Sequence, residues 1–178
     1  CLFTLLTIFA YLGWYTPAKR WSIWSTEIGA IAGAFPPLIG WAAGEGRISA
    51  LGWILFAVLY FWQIPHFMSI AWTYRRDYSA VHFPMLPVRD EAGGKVAAWS
   101  FVNTLALVVV SVLPVYFGFA TKAYGVAALL CGAWFIYRAA VFLRPAGRDV
   151  TARKLFFASI AYLPVVLAAL VADRLIYT

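Results

Sequence analysis

Apolar positions along this chain gather into long runs, and charge and proline collect in the short stretches between them. Six runs read as membrane-crossing helices: Leu2 to Tyr15, Ile28 to Ala43, Ala50 to Trp72, Trp99 to Phe119, Ala123 to Phe142 and Leu155 to Ala172. A hydrocarbon core about 30 Å thick needs about 20 residues of helix to cross it. The first run therefore reads as truncated and the second as short. The second also carries Pro36-Pro37, which bend a helix and leave carbonyls for neighbouring helices to satisfy. The pattern predicts an all-α, polytopic transmembrane helix bundle. No internal repeat and no soluble-type segment interrupts it, so residues 1–178 form one domain.

The links sort by charge. Thr16 to Glu27 carries Lys19 and Arg20; Thr73 to Ala98 carries Arg75, Arg76, Arg89 and Lys95; Leu143 to Lys154 carries Arg144, Arg148, Arg153 and Lys154, with Arg138 just before it. Gly44 to Ser49 and Ala120 to Lys122 are short, and Arg47, Lys122 and Arg174 are the only basic residues on that other side. Positively charged links stay in the cytoplasm, so the three basic links share that face and the C-terminus lies outside. For a bacterial protein this means the inner membrane.

Composition agrees. The chain is 64% hydrophobic and only 12% charged, against about 25% charged in soluble domains. It has too little polar surface for nucleic-acid contacts despite its net charge of +7. Of the two cysteines, Cys131 reads as a packing residue and no metal or disulfide spacing exists. Cys1 opens the chain inside an apolar run with no charged region before it, as a fragment would.

So few polar residues leave few candidates for chemistry. The long basic link holds Arg75-Arg76-Asp77-Tyr78 and then Phe83-Pro84-Met85-Leu86-Pro87. An acid beside arginines suits an anion bound through a divalent cation, the carboxylate on Mg²⁺ and the guanidinium on phosphate. The same arginines would serve as topology anchors. Lys19 and Arg20 lie on the same face and either meet a second phosphate or anchor a helix end. His66, after Pro65, is an ionisable residue inside a span and so a candidate for function; it could contact a haem or bond a neighbouring helix. Glu27 suits a helix start, and Gly29 with Gly33 suits close helix packing.

Four of these segments, in order and at matching intervals, resemble the haem O synthases, a branch of the UbiA-type intramembrane prenyltransferases. They are Tyr15-Thr16-Pro17 with Lys19-Arg20; Gly33-Ala34-Phe35-Pro36-Pro37-Leu38-Ile39-Gly40-Trp41-Ala42; Trp62-Gln63-Ile64-Pro65-His66-Phe67; and Asp77-Tyr78 with Pro84-Met85-Leu86-Pro87-Val88. The resemblance implies nine helices around a cavity, with the six runs here as helices four to nine and a first aspartate-rich motif absent from this chain. It implies farnesyl transfer from farnesyl diphosphate to a vinyl group of haem B, giving haem O and diphosphate. By that resemblance Asp77 is the catalytic and Mg²⁺-holding residue, Lys19, Arg20 and Arg76 bind diphosphate, and His66 is the haem candidate. The bilayer surrounds the site, and a contact with haem A synthase is a further expectation. The chain departs from the family at Ser25, where an asparagine is usual, at Val81-His82, where Ala-Gly is common, and at Asp77, which stands alone where the wider family often pairs two aspartates. A prenyltransferase for a quinone or chlorophyll precursor, and a transporter or haem assembly factor, remain alternatives. The topology is testable by cysteine labelling at Ser79 and at Gly46, which should report opposite sides of the membrane; labelling of both from one side would exclude six spans.

Overall fold

The computed structural model describes residues 2–177, so the expectation drawn from Cys1 lies outside the described residues. Among them the chain is helical throughout and contains no strand. The first rod is built from α1 (Leu2–Phe9), a π-helical turn (Ala10–Tyr15) and α2 (Thr16–Trp21). The remaining long helices are α3 (Ser25–Glu45), α4 (Ala50–Thr73), α7 (Gly94–Tyr116), α8 (Lys122–Phe142) and α9 (Arg148–Tyr177). Two short helices, α5 (Arg75–Ala80) and α6 (Leu86–Arg89), lie between α4 and α7.

All six expected runs are helical. Four of them, α4, α7, α8 and α9, are long and apolar enough to cross a membrane. The chain is thus an integral, multi-pass helix bundle. The first rod and α3 do not meet that criterion, α3 because its glycines, Pro36-Pro37 and the glutamates Glu27 and Glu45 lower its mean hydropathy.

Three links differ from the sequence expectation. The helix does not stop at Thr16; it runs on to Trp21, and only residues 22–24 separate it from α3. Pro17 has no N–H to give, and the wide turn just before it already breaks the regular ladder, with the Thr16 N–H and hydroxyl both donating to Tyr11 O. Lys19 and Arg20 therefore sit in a helical last turn. The long link is not a loop either, since α5 and α6 fold within it and α7 begins at Gly94, not Trp99. Asp90 Oδ2 accepts from the Val96 N–H at 2.9 Å, satisfying one of the open donors at that helix start. Finally, α9 starts at Arg148, so Arg153 and Lys154 are helical.

The bundle is organised around α4, which packs against α3, α7 and α9, while α8 closes the far side against α7 and α9. Small residues allow the close approach. A side chain at Gly132 of α8 would collide with Val108 of α7, and one at Gly52 of α4 with Trp41 of α3. The core between them includes Leu51, Ile64, Met68, Leu107, Phe135, Phe142 and Tyr162, all fully buried. Large apolar residues such as Val109, Leu130, Tyr116 and Leu175 point outward, the arrangement expected where the solvent is lipid.

At the end of α4 a polar knot ties three helices. Trp72 Nε1 donates to Asp149 Oδ1 at 2.8 Å, and Arg75 reaches both that oxygen at 3.0 Å and the Trp72 carbonyl at 2.8 Å. The buried Arg148 guanidinium donates to the Ala92 and Leu143 carbonyls. Gly93 makes this fit possible in two ways. Its φ of 70° is left-handed, and an added Cβ would lie 2.5 Å from the Trp72 ring. Gly118 has the same backbone conformation, φ 72°, but open space around it. Gly118→Ala should therefore cost only the left-handed backbone term, about 1–2 kcal/mol. Gly93→Ala should add about 1–3 kcal/mol of overpacking. Denaturant titration in mixed micelles checks the difference.

Candidate functional site

A cavity of about 700 Å³ opens between the first rod, α3, α4 and the α5–α6 segment, within the range of about 300–1,000 Å³ usual for small-molecule sites. Its origin is local. The π-helical turn brings Tyr11 and Tyr15 to the wall with rings 5.3 Å apart. Gly29 and Gly33 remove side chains from the facing stripe of α3. A Cβ at Gly29 would sit 2.7 Å from the Tyr15 ring, and one at Gly33 would overlap the Gln63 amide. Both glycines thus permit close packing, as their spacing suggested, but each against a different partner. Gln63 crosses from α4 and donates to Ala30 O at 3.3 Å and Leu59 O at 3.1 Å. Apolar and aromatic side chains, including Ile8, Leu12, Phe67 and Ile70, form most of the remaining wall.

Charge enters at the end where the links meet. Lys19 is half-buried, lines the cavity and holds its ammonium 4.2 Å from the centre of the Tyr15 ring. Tyr78 and Phe83 line the same end, their rings stacked at 6.4 Å. Arg20, Arg76 and Asp77 are exposed and do not themselves line the cavity; Asp77 is next in sequence to Tyr78, which does. Arg75 is already committed to Asp149. The two neighbouring arginines therefore have different work, one structural and one left at the surface.

The structure does not bring His66 to this cavity. Its ring lies 4.7 Å from Trp62 and 4.9 Å from Phe156, and its Nδ1 is 2.8 Å from Ser159 Oγ on α9. The Ser159 hydroxyl donates its proton to Phe156 O at 2.6 Å, so the His66 Nδ1–H is the donor in this contact. Trp62 Nε1 adds a bond to Ser159 O at 2.7 Å.

Ser25 is the residue that sequence reasoning undervalued. It is 1% exposed and lines the cavity, and its hydroxyl has no hydrogen-bond partner. A buried unpaired hydroxyl costs about 1–3 kcal/mol unless a ligand or water completes it. The signal was present as the departure from the family's asparagine, one polar side chain for another. The departure at His82 has a backbone meaning instead. His82 holds φ 56°, a conformation open to the family's glycine at no steric cost.

Glu27 lies one residue beyond the cavity wall, ahead of the apolar stretch of α3. Its Oε1 accepts from Trp99 Nε1, while Oε2 is buried without a partner. Burial pushes its carboxyl above the ordinary carboxylate range, against the lowering pull of its backbone and Trp99 hydrogen bonds.

Metal binding can be judged from the donors. Among the described residues no three His, Cys, Asp or Glu side chains cluster, so they contain no all-protein metal cage. Mg²⁺ commonly takes one or two carboxylates and completes its shell with phosphate and water. The exposed Asp77 carboxylate fits that lesser demand.

Comparison with known proteins places these features in context. Residues 1–161 match the UbiA prenyltransferase family. A protoheme IX farnesyltransferase of Opitutus terrae is 72% identical over 174 residues, covering 98% of this chain and 59% of that protein. One from Solibacter usitatus is 42% identical, over 94% of the chain and 57% of the relative. One from Thermosynechococcus vestitus is 44% identical, over 95% and 54%. The chain thus spans less than two thirds of the length of these relatives. No solved structure matches. The placement of the basic pair separates its two members: Lys19→Gln should weaken any binding of an anion in this cavity, probed with inorganic diphosphate, about tenfold, or about 1.4 kcal/mol, and Arg20→Gln by much less. Calorimetry in detergent checks both.

Proposed function

The chain belongs to the UbiA prenyltransferase family, and from that membership we propose that it forms part of a protohaem IX farnesyltransferase, which moves farnesyl from farnesyl diphosphate to a vinyl group of haem B. The observation that carries this reading is the cavity itself, apolar and aromatic along its length with Lys19 and the unpaired Ser25 hydroxyl at its charged end. That layout suits a long hydrocarbon with an anionic head. The name of the Opitutus terrae relative, at 72% identity, supports haem B over a quinone or chlorophyll precursor. A transporter is disfavoured because the charges near the cavity, half-buried Lys19 and exposed Arg20, Arg76 and Asp77, gather at one mouth.

In this reading diphosphate rests against Lys19, with Ser25 donating to one of its oxygens and Arg20 and Arg76 screening it from the rim. Mg²⁺, when bound with the diphosphate, would take one ligand from Asp77 and neutralise charge on the leaving group. The bond from farnesyl C1 to oxygen breaks and diphosphate leaves with the electron pair. The vinyl carbon then forms the new bond to C1, water adds at the adjacent carbon, and a proton is lost, giving the hydroxyethylfarnesyl side chain of haem O. Phe67 on the wall offers an aromatic ring to an allylic cation, and the lipid-facing bundle excludes the water that would trap it early.

The six-span topology, with the three basic links in the cytoplasm of a bacterial inner membrane, belongs to the same proposal, as does a contact with haem A synthase. His66 was the haem candidate, but its ring is packed between α4 and α9. We assign it to tying those helices together. The test is turnover and separate substrate binding by the full-length protein in membranes, at matched protein levels. Asp77→Asn should lower turnover about a hundredfold, with farnesyl diphosphate still bound. His66→Ala should lower thermal stability and leave haem affinity within about twofold. Near-wild-type turnover of Asp77→Asn would reduce this segment to a topology anchor and overturn the site.

A further inference from the structure

A second cavity, about 480 Å³, lies on the other side of the same wall. It is lined by Trp24 of the link between α2 and α3, by Leu86 and Arg89 of α6, and by Lys95, Trp99 and Val102 of α7. Consecutive residues face the two cavities: Trp24 lines this one and Ser25 the first, Leu86 this one and Met85 the first. The two cavities adjoin at both places.

Its chemistry differs from that of the first cavity. Trp24 and Trp99 meet edge-on at 5.5 Å, and the Trp99 indole is held in place by its bond to Glu27. Together they give an apolar, aromatic corner. Two cations stand at the rim. Arg89 and Lys95 are both exposed, and neither pairs with a described residue. The one carboxylate in the lining, Asp90, is turned to the Val96 N–H, and the two cations outnumber it. The Asp90 to Gly93 turn, closed by Gly93 N–H to Asp90 O at 3.0 Å, folds the chain so that Arg89 and Lys95 line one pocket. An aromatic corner with two cations at its edge complements a largely apolar, aromatic molecule bearing two carboxylates on one side.

We propose that this second cavity seats the acceptor, with Arg89 and Lys95 holding its two propionate carboxylates and the Trp24–Trp99 pair supporting its macrocycle. The proposal rests on the reading of the chain as a haem-farnesylating enzyme. Haem B carries both carboxylates on one edge and its vinyl groups away from that edge. Fixing the carboxylates at the rim therefore sets which part of the macrocycle lies beside the donor cavity. Donor and acceptor would enter by separate mouths, each with its own cations, and meet where the two cavities adjoin.

The test uses the full-length protein in nanodiscs of zwitterionic lipid, titrated with haem B and with its dimethyl ester and followed in the Soret band. Wild type should bind the free diacid at least tenfold more tightly than the diester. Arg89→Gln/Lys95→Gln should lose that preference while keeping its affinity for a non-hydrolysable farnesyl diphosphate analogue. Trp24→Leu, which keeps both cations, should weaken acid and ester alike. Equal affinity of wild type for acid and ester overturns the proposal. So does a double variant that keeps the preference, or one whose only change is weaker binding of vesicles containing phosphatidylglycerol, which would make the pocket a lipid site. Diacid preference without any farnesyl transfer would instead refute the reaction and leave the pocket standing. Farnesyl transfer to haem and its diester at equal affinity would do the reverse.

Discussion

Water does not reach the interior of a bundle in lipid, so each polar side chain on a buried helix face must find its partner on the next helix. Most of this structure follows from how α4 meets that demand. Gln63 bonds Ala30 O on α3, Trp62 bonds Ser159 O on α9, and His66 bonds the Ser159 hydroxyl one turn further on. Interhelical bonds of this type are worth about 0.6–2 kcal/mol each, modest singly. Together they fix the rotation of α4, because turning it would leave all three groups unpaired. With that rotation set, Phe67, Ile70 and Ala71 face the first cavity. The apolar wall of the site is thus a consequence of polar bonds made by neighbouring positions of the same helix.

Charge is divided by the same economy. The long link contains seven basic or acidic side chains, but two are consumed by structure: Arg75 by Asp149 and Asp90 by the start of α7. Arg76, Asp77, Arg89 and Lys95 remain exposed, with Glu91 beside them. Asp90 is held against the start of α7, and in the lining of the second cavity Arg89 and Lys95 still outnumber it.

Much of the architecture was legible because lipid leaves few choices. Apolar runs such as Ala50 to Trp72 can only be helices, and the observed α4 ends one residue later. Link structure was less legible. Nothing in Tyr15-Thr16-Pro17 announces a π-helical turn that carries the helix through the proline, and Pro17 alone argues for a boundary. Among site residues, Lys19 was readable because a basic pair at a helix end is rare and local. The distinction between Lys19 and Arg20 was not, since it depends on which of two adjacent side chains turns towards Tyr15. Arg75 and Arg76 were equivalent on paper for the same reason. Their separation is decided by Asp149, whose position depends on how α9 packs.

The hardest residues to read were those whose meaning depends on an unmet bond. Ser25 is ordinary in sequence and ordinary as a helix start. Only its burial at 1% exposure, with no partner for the hydroxyl, marks it as incomplete. Glu27 Oε2 is in the same condition two residues later, so two unsatisfied groups stand within one turn of the partition between the cavities. A bundle that answers Gln63, Trp62 and His66 so fully would gain by answering these as well. Replacing Ser25 with alanine would remove its penalty, whereas replacing Glu27 would also strip Trp99 Nε1 of its acceptor. That the Ser25 penalty is retained, on the wall of the cavity proposed to hold an anionic head, is what makes this helix start, rather than the apolar wall alone, the centre of the proposed chemistry.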